Sequence, residues 1–298
     1  MASAREKSVK WRRLPLAVCL VCLSLCLFAC QSTGVVGEEE THPLSLLTGG
    51  SLLYLCADAS FHQELVAALV ASRTGLSLED SQRLAGRLGI ICVAAGGGTP
   101  FELACTARIP KRMAQSRLSK ASSGFTKDVV RFEGFRGKKF THTATGVEVV
   151  FLGEGLLCAG DDVSAMLENF AKGRAFEQSP RNQWLLGVQG DPAIRFYTER
   201  PLEFLAVVVG FPEGVGEKLI ESIAGSFVPS GEGYSLEMYF RVVAPRAVSA
   251  LKAMLTLSLS AMGASVEQAG DAVLKVSGID LTAEDVTNLL SLSGAIGK

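Results

Sequence analysis

The sequence predicts an α+β fold, a largely antiparallel sheet covered by amphipathic helices in α/β/α layers. Three observations carry this. Short apolar runs stop at glycine-rich turns and resume, which is how hairpins read, and hairpin strands pair antiparallel. Segments with apolar residues at helical spacing separate the hairpins, and such helices must cover the sheet. The whole order of elements then occurs twice, which predicts one pseudo-twofold domain over residues 49–298, built from copies at 49–175 and 189–298.

Each copy reads strand, helix, helix, hairpin, helix, hairpin, helix. "SLLYLCAD" is a strand and "FHQELVAALVAS" a helix, with "AIRFYTER" and "PLEFLAVVVG" as counterparts. Short helices follow in "SLEDSQRLAGRLG", where Ser77 is the expected N-cap with Asp80 three residues on, and in "EGVGEKLIESIAG". "FELACTARIPKRMAQSRL" and "LEMYFRVVAPRAVSALKAM" each run from strand to helix through a proline, which suits a first helical turn. "VEVVFLGEGLLCAGDDVSAMLENF" matches "VEQAGDAVLKVSGIDLTAEDVTNLL" as strand, tight turn, strand and capped helix, with Asp161 and Thr282 as the expected caps. "AFEQSPRNQWLLGVQG" is the joint, and the first copy carries an insertion at about residues 121–140.

The amino terminus is not fold. "MASAREKSVKWRR" is basic and "LPLAVCLVCLSLCLFA" uncharged, an export signal over residues 1–29 that is shorter than the roughly 20 residues of a spanning helix. Leu27, Phe28, Ala29 and Cys30 resemble a bacterial lipobox; Phe28 departs from the usual small residue and fits the looser spirochaetal form. Lipidation of Cys30 is expected, against an ordinary cleaved signal or an uncleaved anchor. Residues 30–48, polar and rich in Gly and Glu, read as a flexible tether. The chain has 29 basic and 30 acidic residues, and loss of the signal leaves 24 against 29, so overall charge selects no partner.

Three helical segments carry more apolar surface than a soluble helix needs. Around 201–211, Leu202, Phe204, Leu205, Val208 and Phe211 cover most of the wheel. At about 1.5–3 kcal/mol per large apolar side chain, leaving these five in water would cost on the order of 10 kcal/mol, comparable to a whole domain's stability. In "RAVSALKAMLTLSLSAMG", Leu251, Met254, Leu255 and Met262 oppose a strip of Ser249, Lys252, Thr256 and Ser260, and in the last helix Val286, Leu289 and Leu290 oppose Glu284, Thr287, Asn288 and Ser291. Either the protein's own core or lipid must cover them, and none is long enough to span a bilayer.

Chemistry-bearing patterns are sparse, and an enzyme is not expected. His42, His62 and His142 form no spaced metal pair, so neither metal nor cofactor is expected. "GFPEGVGEK" has Glu217 where a phosphate-binding loop requires lysine, and "GGGTP" leads into a strand, which makes it a turn. Outside the signal and lipobox, Cys56, Cys92, Cys105 and Cys158 lie in apolar runs as buried thiols, with Cys92 and Cys105 able to face each other across one hairpin. Ten basic residues lie between Arg108 and Lys139 against Asp128 and Glu133, read either as a solvated face or as a contact for anionic headgroups. Export makes nucleic acid a poor partner.

The lipobox "LFAC", the duplicated strand and helix pattern and the amphipathic helices of the second copy together resemble a treponemal family, the concealed outer-membrane lipoprotein that inserts amphipathic helices into membranes. Its α/β/α fold is similar to that of mycobacterial lipid-carrying lipoproteins. The resemblance implies a protein anchored through Cys30, by palmitate and other acyl chains, at the periplasmic leaflet of the outer membrane. It also implies that phospholipid or fatty acyl chains are bound in a hydrophobic cleft, that bilayer permeability rises, and that a homodimer is open to it. A periplasmic lipid carrier and a structural lipoprotein with a closed core are the alternatives.

Overall fold

Apolar residues alternate along the strands so that each strand offers one or both faces to covering helices. The computed structural model describes residues 41–74, 77–120, 123–132, 135–153, 155–171, 179–209 and 219–292. In chain order the elements are β1 (Leu53–Asp58), α1 (Gln63–Thr74), α2 (Leu78–Ala85), β2 (Leu88–Ala95), β3 (Glu102–Ala107), α3 (Lys111–Leu118), β4 (Phe125–Phe132), β5 (Phe135–His142), β6 (Glu148–Phe151), β7 (Leu156–Gly160) and α4 (Ser164–Ala171). After α5 (Pro180–Leu185) come β8 (Ile194–Thr198), α6 (Pro201–Val209), β9 (Ile220–Ser230), β10 (Gly233–Val242), α7 (Val248–Leu259), β11 (Ser265–Gly270), β12 (Val273–Thr282) and α8 (Ala283–Leu292).

The strands form one sheet of 12 in the order β11-β12-β10-β9-β8-β1-β2-β3-β7-β6-β5-β4. Its seam is the antiparallel pair β1 and β8, where Tyr54 faces Tyr197 and Leu55 faces Phe196. Outward from the seam, β1-β2-β3-β7-β6 mirrors β8-β9-β10-β12-β11, so a pseudo-twofold axis stands normal to the sheet. The inserted segment is a further hairpin, β4 and β5, added at one edge.

The helices form two layers. On one side, here the α7 face, α6, α7 and α8 pack on Phe196, Ile223, Phe227, Met238, Phe240 and Val276 in the largest core cluster, which Leu55 and Leu65 join across the seam. Phe196 lies directly over Gly225, where an added Cβ would come within 2.2 Å of its ring. On the other side, α4 and α5 cover Tyr54, Cys56, Cys92, Val150 and Cys158. Thus α4 and α8, equivalent in order, pack on opposite faces. In β12 the register slips by one residue, with Leu236 opposite Ile279 but Met238 opposite Val276, and Gly278 holds a φ of +85° there. One extra residue inverts the alternation, so the chain leaves β12 on the opposite face; β7 pairs with β3 without a slip.

Several expectations change. The signal, Cys30 and most of the tether lie outside the described residues, yet the last part of residues 30–48 is no free leash. Pro43–Leu46 form a 3₁₀ turn, and Leu44, Leu46 and Leu47 are buried beside α4 because they complete that core. Thr48 donates from its backbone N–H at 2.7 Å and its hydroxyl at 2.5 Å to the carboxylate of buried Glu102, closing the segment onto β3. The joint contains α5, capped by Ser179, with Leu185 and Val188 fully buried. Ile220–Gly225 of the expected helix "EGVGEKLIESIAG" are strand β9, and its residues 213–218 are not described. Ser77 and Thr282 cap α2 and α8 as expected, each paired with an aspartate three residues on. Asp161 instead accepts from the Phe101 N–H, while Asp162 accepts from the Ser164 N–H at the start of α4.

The disulfide is also different. Cys92 pairs with Cys56 on the neighbouring strand, Cα atoms 4.2 Å apart. Cys92 lies opposite Ala104, so Cys105 points to the other face of the sheet and the two cannot meet. Cys105 and Cys158 are free and buried, and burial pushes both thiols up to about 12.

Candidate membrane-contact surface

Helix α7 follows a 3₁₀ turn opened by Pro245, and is built mainly from Ala, Leu, Ser and Met with few β-branched residues. Val248, Leu251, Leu255 and Leu259 form its inner stripe and are buried on the sheet. A second apolar stripe with the same steps, beginning at Ala250, continues through Ala253, Leu257 and Ala261 on the exposed side. Leu257 is 80% exposed and Met262 42%. The helix carries one charge, Lys252, and no acidic residue. A helix apolar on both sides in this way matches a covered position better than open water.

The residues expected to meet lipid divide sharply. Phe204, Leu205, Leu251, Leu255 and Val286 are buried core residues, and Leu202 and Met254 are half-buried against that core. In this conformation they face protein, a correction with a plain cause: the α7 face of the sheet is itself apolar and needs them. Phe204 packs on Phe196 at 5.3 Å between ring centroids, and Phe196 on Phe227 at 5.1 Å. Of the expected set, Met262 is exposed, while the side chains of Val208, Phe211, Leu289 and Leu290 lie outside the described residues. Leu257 is not among the expected residues, because its stripe lies on the side of α7 away from the Leu251 and Leu255 side and is made mostly of alanine, which adds little apolar signal to the sequence.

The pseudo-twofold axis places α3 on the same face as α7, at the equivalent position in the first copy. Ala114 and Leu118 seat α3 on Phe140 and Phe151, while Arg112 and Lys120 are exposed. Beside it, strand alternation puts Lys127, Val129 and Arg131 of β4 and Arg136 and Lys138 of β5 on that same face, with Phe140 as the reference residue. All five are exposed. Between α1 and α3 the sheet shows half-buried Val93, Leu103 and Leu157. The equivalent region of the second copy is covered by α8, whose counterpart α4 has gone to the other face.

Among the described residues no group of three metal-binding side chains occurs, and no helix is long and apolar enough to cross a membrane. Glu102 has its carboxyl raised by burial, which outweighs the Thr48 hydrogen bonds. His62, the residue before α1, is lowered by burial and meets the Tyr234 hydroxyl at 3.2 Å, tying the start of that helix to β10. His42 accepts from the Leu44 N–H. Glu102 and His62 thus join segments distant in sequence, while His42 caps the turn at Pro43–Leu46.

No protein-family model matches the sequence, and no curated protein matches it. Solved structures do. The chain is similar in fold to TP0453 of Treponema pallidum. Crystal form I of TP0453 superposes with a TM-score of 0.65 at 14% identity, over 86% of this chain and 99% of that one. Form III gives 0.65 at 13% identity, over 86% and 100%, and form IV 0.61 at 14%, over 84% and 96%. At such identity the likeness to TP0453 concerns the fold alone, and the mixed α+β architecture with its antiparallel sheet is common to both.

Proposed function

We propose that the protein is a lipid-anchored, outer-membrane-associated protein that binds lipid, lays α7 into one leaflet and raises membrane permeability. The observation that carries this reading is the outer stripe of α7, with Leu257 80% exposed on a helix that has no acidic residue. A helix of this kind lies in the interface plane with its apolar side about 5–10 Å into the headgroup boundary. The inner stripe stays in the core at first contact. Exposing Leu251 and Leu255 with Phe204 and Leu205 would cost on the order of 10 kcal/mol unless hydrocarbon replaced the core contacts. Anchoring through Cys30 would keep the protein beside the bilayer. Unlipidated chain from Gln31 onward, mixed with vesicles carrying a trapped dye, is expected to float with them and release dye; no flotation and no release would end this reading.

One observation favours a second reading, a lipid carrier. Val93, Leu103 and Leu157 form a half-buried apolar floor between α1 and α3 where the second copy has α8. An acyl chain would fill it. Lipid that co-purifies with the protein and disappears in Leu103→Trp, with no dye release from either, would favour the carrier.

A further inference from the structure

We infer that the β4 and β5 hairpin, together with α3, is a docking surface for anionic lipid headgroups, a second contact that sets the protein's orientation on the bilayer. The inference rests on the bilayer reading above and adds the chemistry of the surface that would be met.

Two arrangements here are unfavourable without an external anion. Arg131 lies directly opposite Arg136 on the same sheet face, and like charges so placed repel. Lys138, opposite Val129, lies diagonal to Lys127 on that face. In α3, exposed Arg112 lies in the first turn, the positive end of the helix dipole, no acidic residue lies in that turn, and Pro110 provides no side-chain cap; the neighbouring Lys111 ammonium donates to the Leu152 carbonyl at 3.5 Å. By alternation, the acidic partner within the described hairpin, Asp128, is on the opposite face with Lys139, whose ammonium pairs with Glu148. The basic face has no carboxylate of its own among the described residues of β4, β5 and α3. Exposed Val129, 56% accessible, sits among these cations.

The pseudo-twofold axis normal to the sheet decides the occupant. It puts α3 and α7 on one side of the molecule, so a flat surface that receives the apolar stripe of α7 also meets the basic face of α3 and the hairpin. A bilayer with acidic headgroups has both properties, hydrocarbon below and negative charge above, and each basic residue near it is attracted. A rigid polyanion offers only the second.

The test uses the full chain, mixed with or reconstituted into vesicles, with an environment-sensitive fluorophore on Val129→Cys or on Leu257→Cys. With phosphatidylglycerol in the vesicles the label at 129 is expected to report the headgroup region. It should be released when salt rises from about 0.05 to about 0.5 M, which shortens the Debye length roughly threefold. With phosphatidylcholine alone it should report water. Changing Lys127, Arg131, Arg136 and Lys138 to Gln is expected to lower the docked fraction relative to free at least about tenfold on the anionic vesicles, while Arg131→Lys with Arg136→Lys retains it. Equal behaviour on both vesicle types, or docking unaffected by the four Gln changes, would overturn the inference. A label at 257 that still enters the phosphatidylcholine bilayer in that case leaves the α7 reading standing. Anion-dependent docking at 129 with the label at 257 in water throughout would keep the hairpin contact and remove α7 insertion.

Discussion

Leu255 and Leu257 lie two residues apart on α7 and have opposite surroundings, which makes them a controlled pair. Leu255 is fully buried, whereas Leu257 is 80% exposed. Leu257→Ala removes three carbons, worth about 0.8 kcal/mol each on transfer out of water. Scaled by the exposed fraction, the change should weaken partition into a bilayer by about 2 kcal/mol, roughly 30-fold. Because those atoms touch little protein, the folded state should change by no more than about 0.5 kcal/mol. Leu255→Ala has the opposite profile: the cavity it leaves should cost about 2–5 kcal/mol of stability. Flotation of each unlipidated variant on vesicles, with a urea unfolding curve for each, reads both quantities. Equal partition for Leu257→Ala and the parent would refute the assignment of α7 as the inserting helix, and a stability loss above about 1 kcal/mol would show that Leu257 belongs to the core.

Other predictions follow from single contacts. Replacing Cys56 and Cys92 together by Ala opens a link between residues 36 apart and should cost about 3–4 kcal/mol in denaturant unfolding; the buried Cys105 and Cys158 should react with a thiol reagent only after unfolding. Gly225→Ala should destabilise by about 1–3 kcal/mol because the Phe196 ring must move, and no loss would mean that the ring does not sit there. Glu102 has its folded value raised above the ordinary 4.5, so the native state holds the proton more tightly than the unfolded chain. Its contribution is fully present below about pH 4.5 and declines as pH rises from there through the raised folded value. The stability of the parent relative to Glu102→Gln should therefore fall from pH 4 toward neutrality, and a difference that rises instead would contradict the burial argument.

Much of the fold was legible in the sequence because it is encoded locally. Glycine turns between apolar runs specify hairpins, Ser77 and Thr282 mark helix starts, and the recurrence of one element order places equivalent strands on either side of the β1 and β8 seam. The excess apolar character of α7 is likewise a property of composition. Its direction was not legible, since which side of an almost uncharged helix meets the sheet depends on side chains far away in sequence, such as Phe240 and Val276.

The sequence by itself determined most of the order of elements, the antiparallel class and the surplus of apolar surface, all of which follow from neighbours a few residues apart. Tertiary structure alone decided that Cys92 bonds to Cys56, that Leu44 and Leu46 enter the core, and that Leu257 is left outside. It also decided that α4 and α8 cover opposite faces. A slip of one residue beside Gly278 reverses every side chain beyond it, and only the pairing of β12 with β10 reveals that slip.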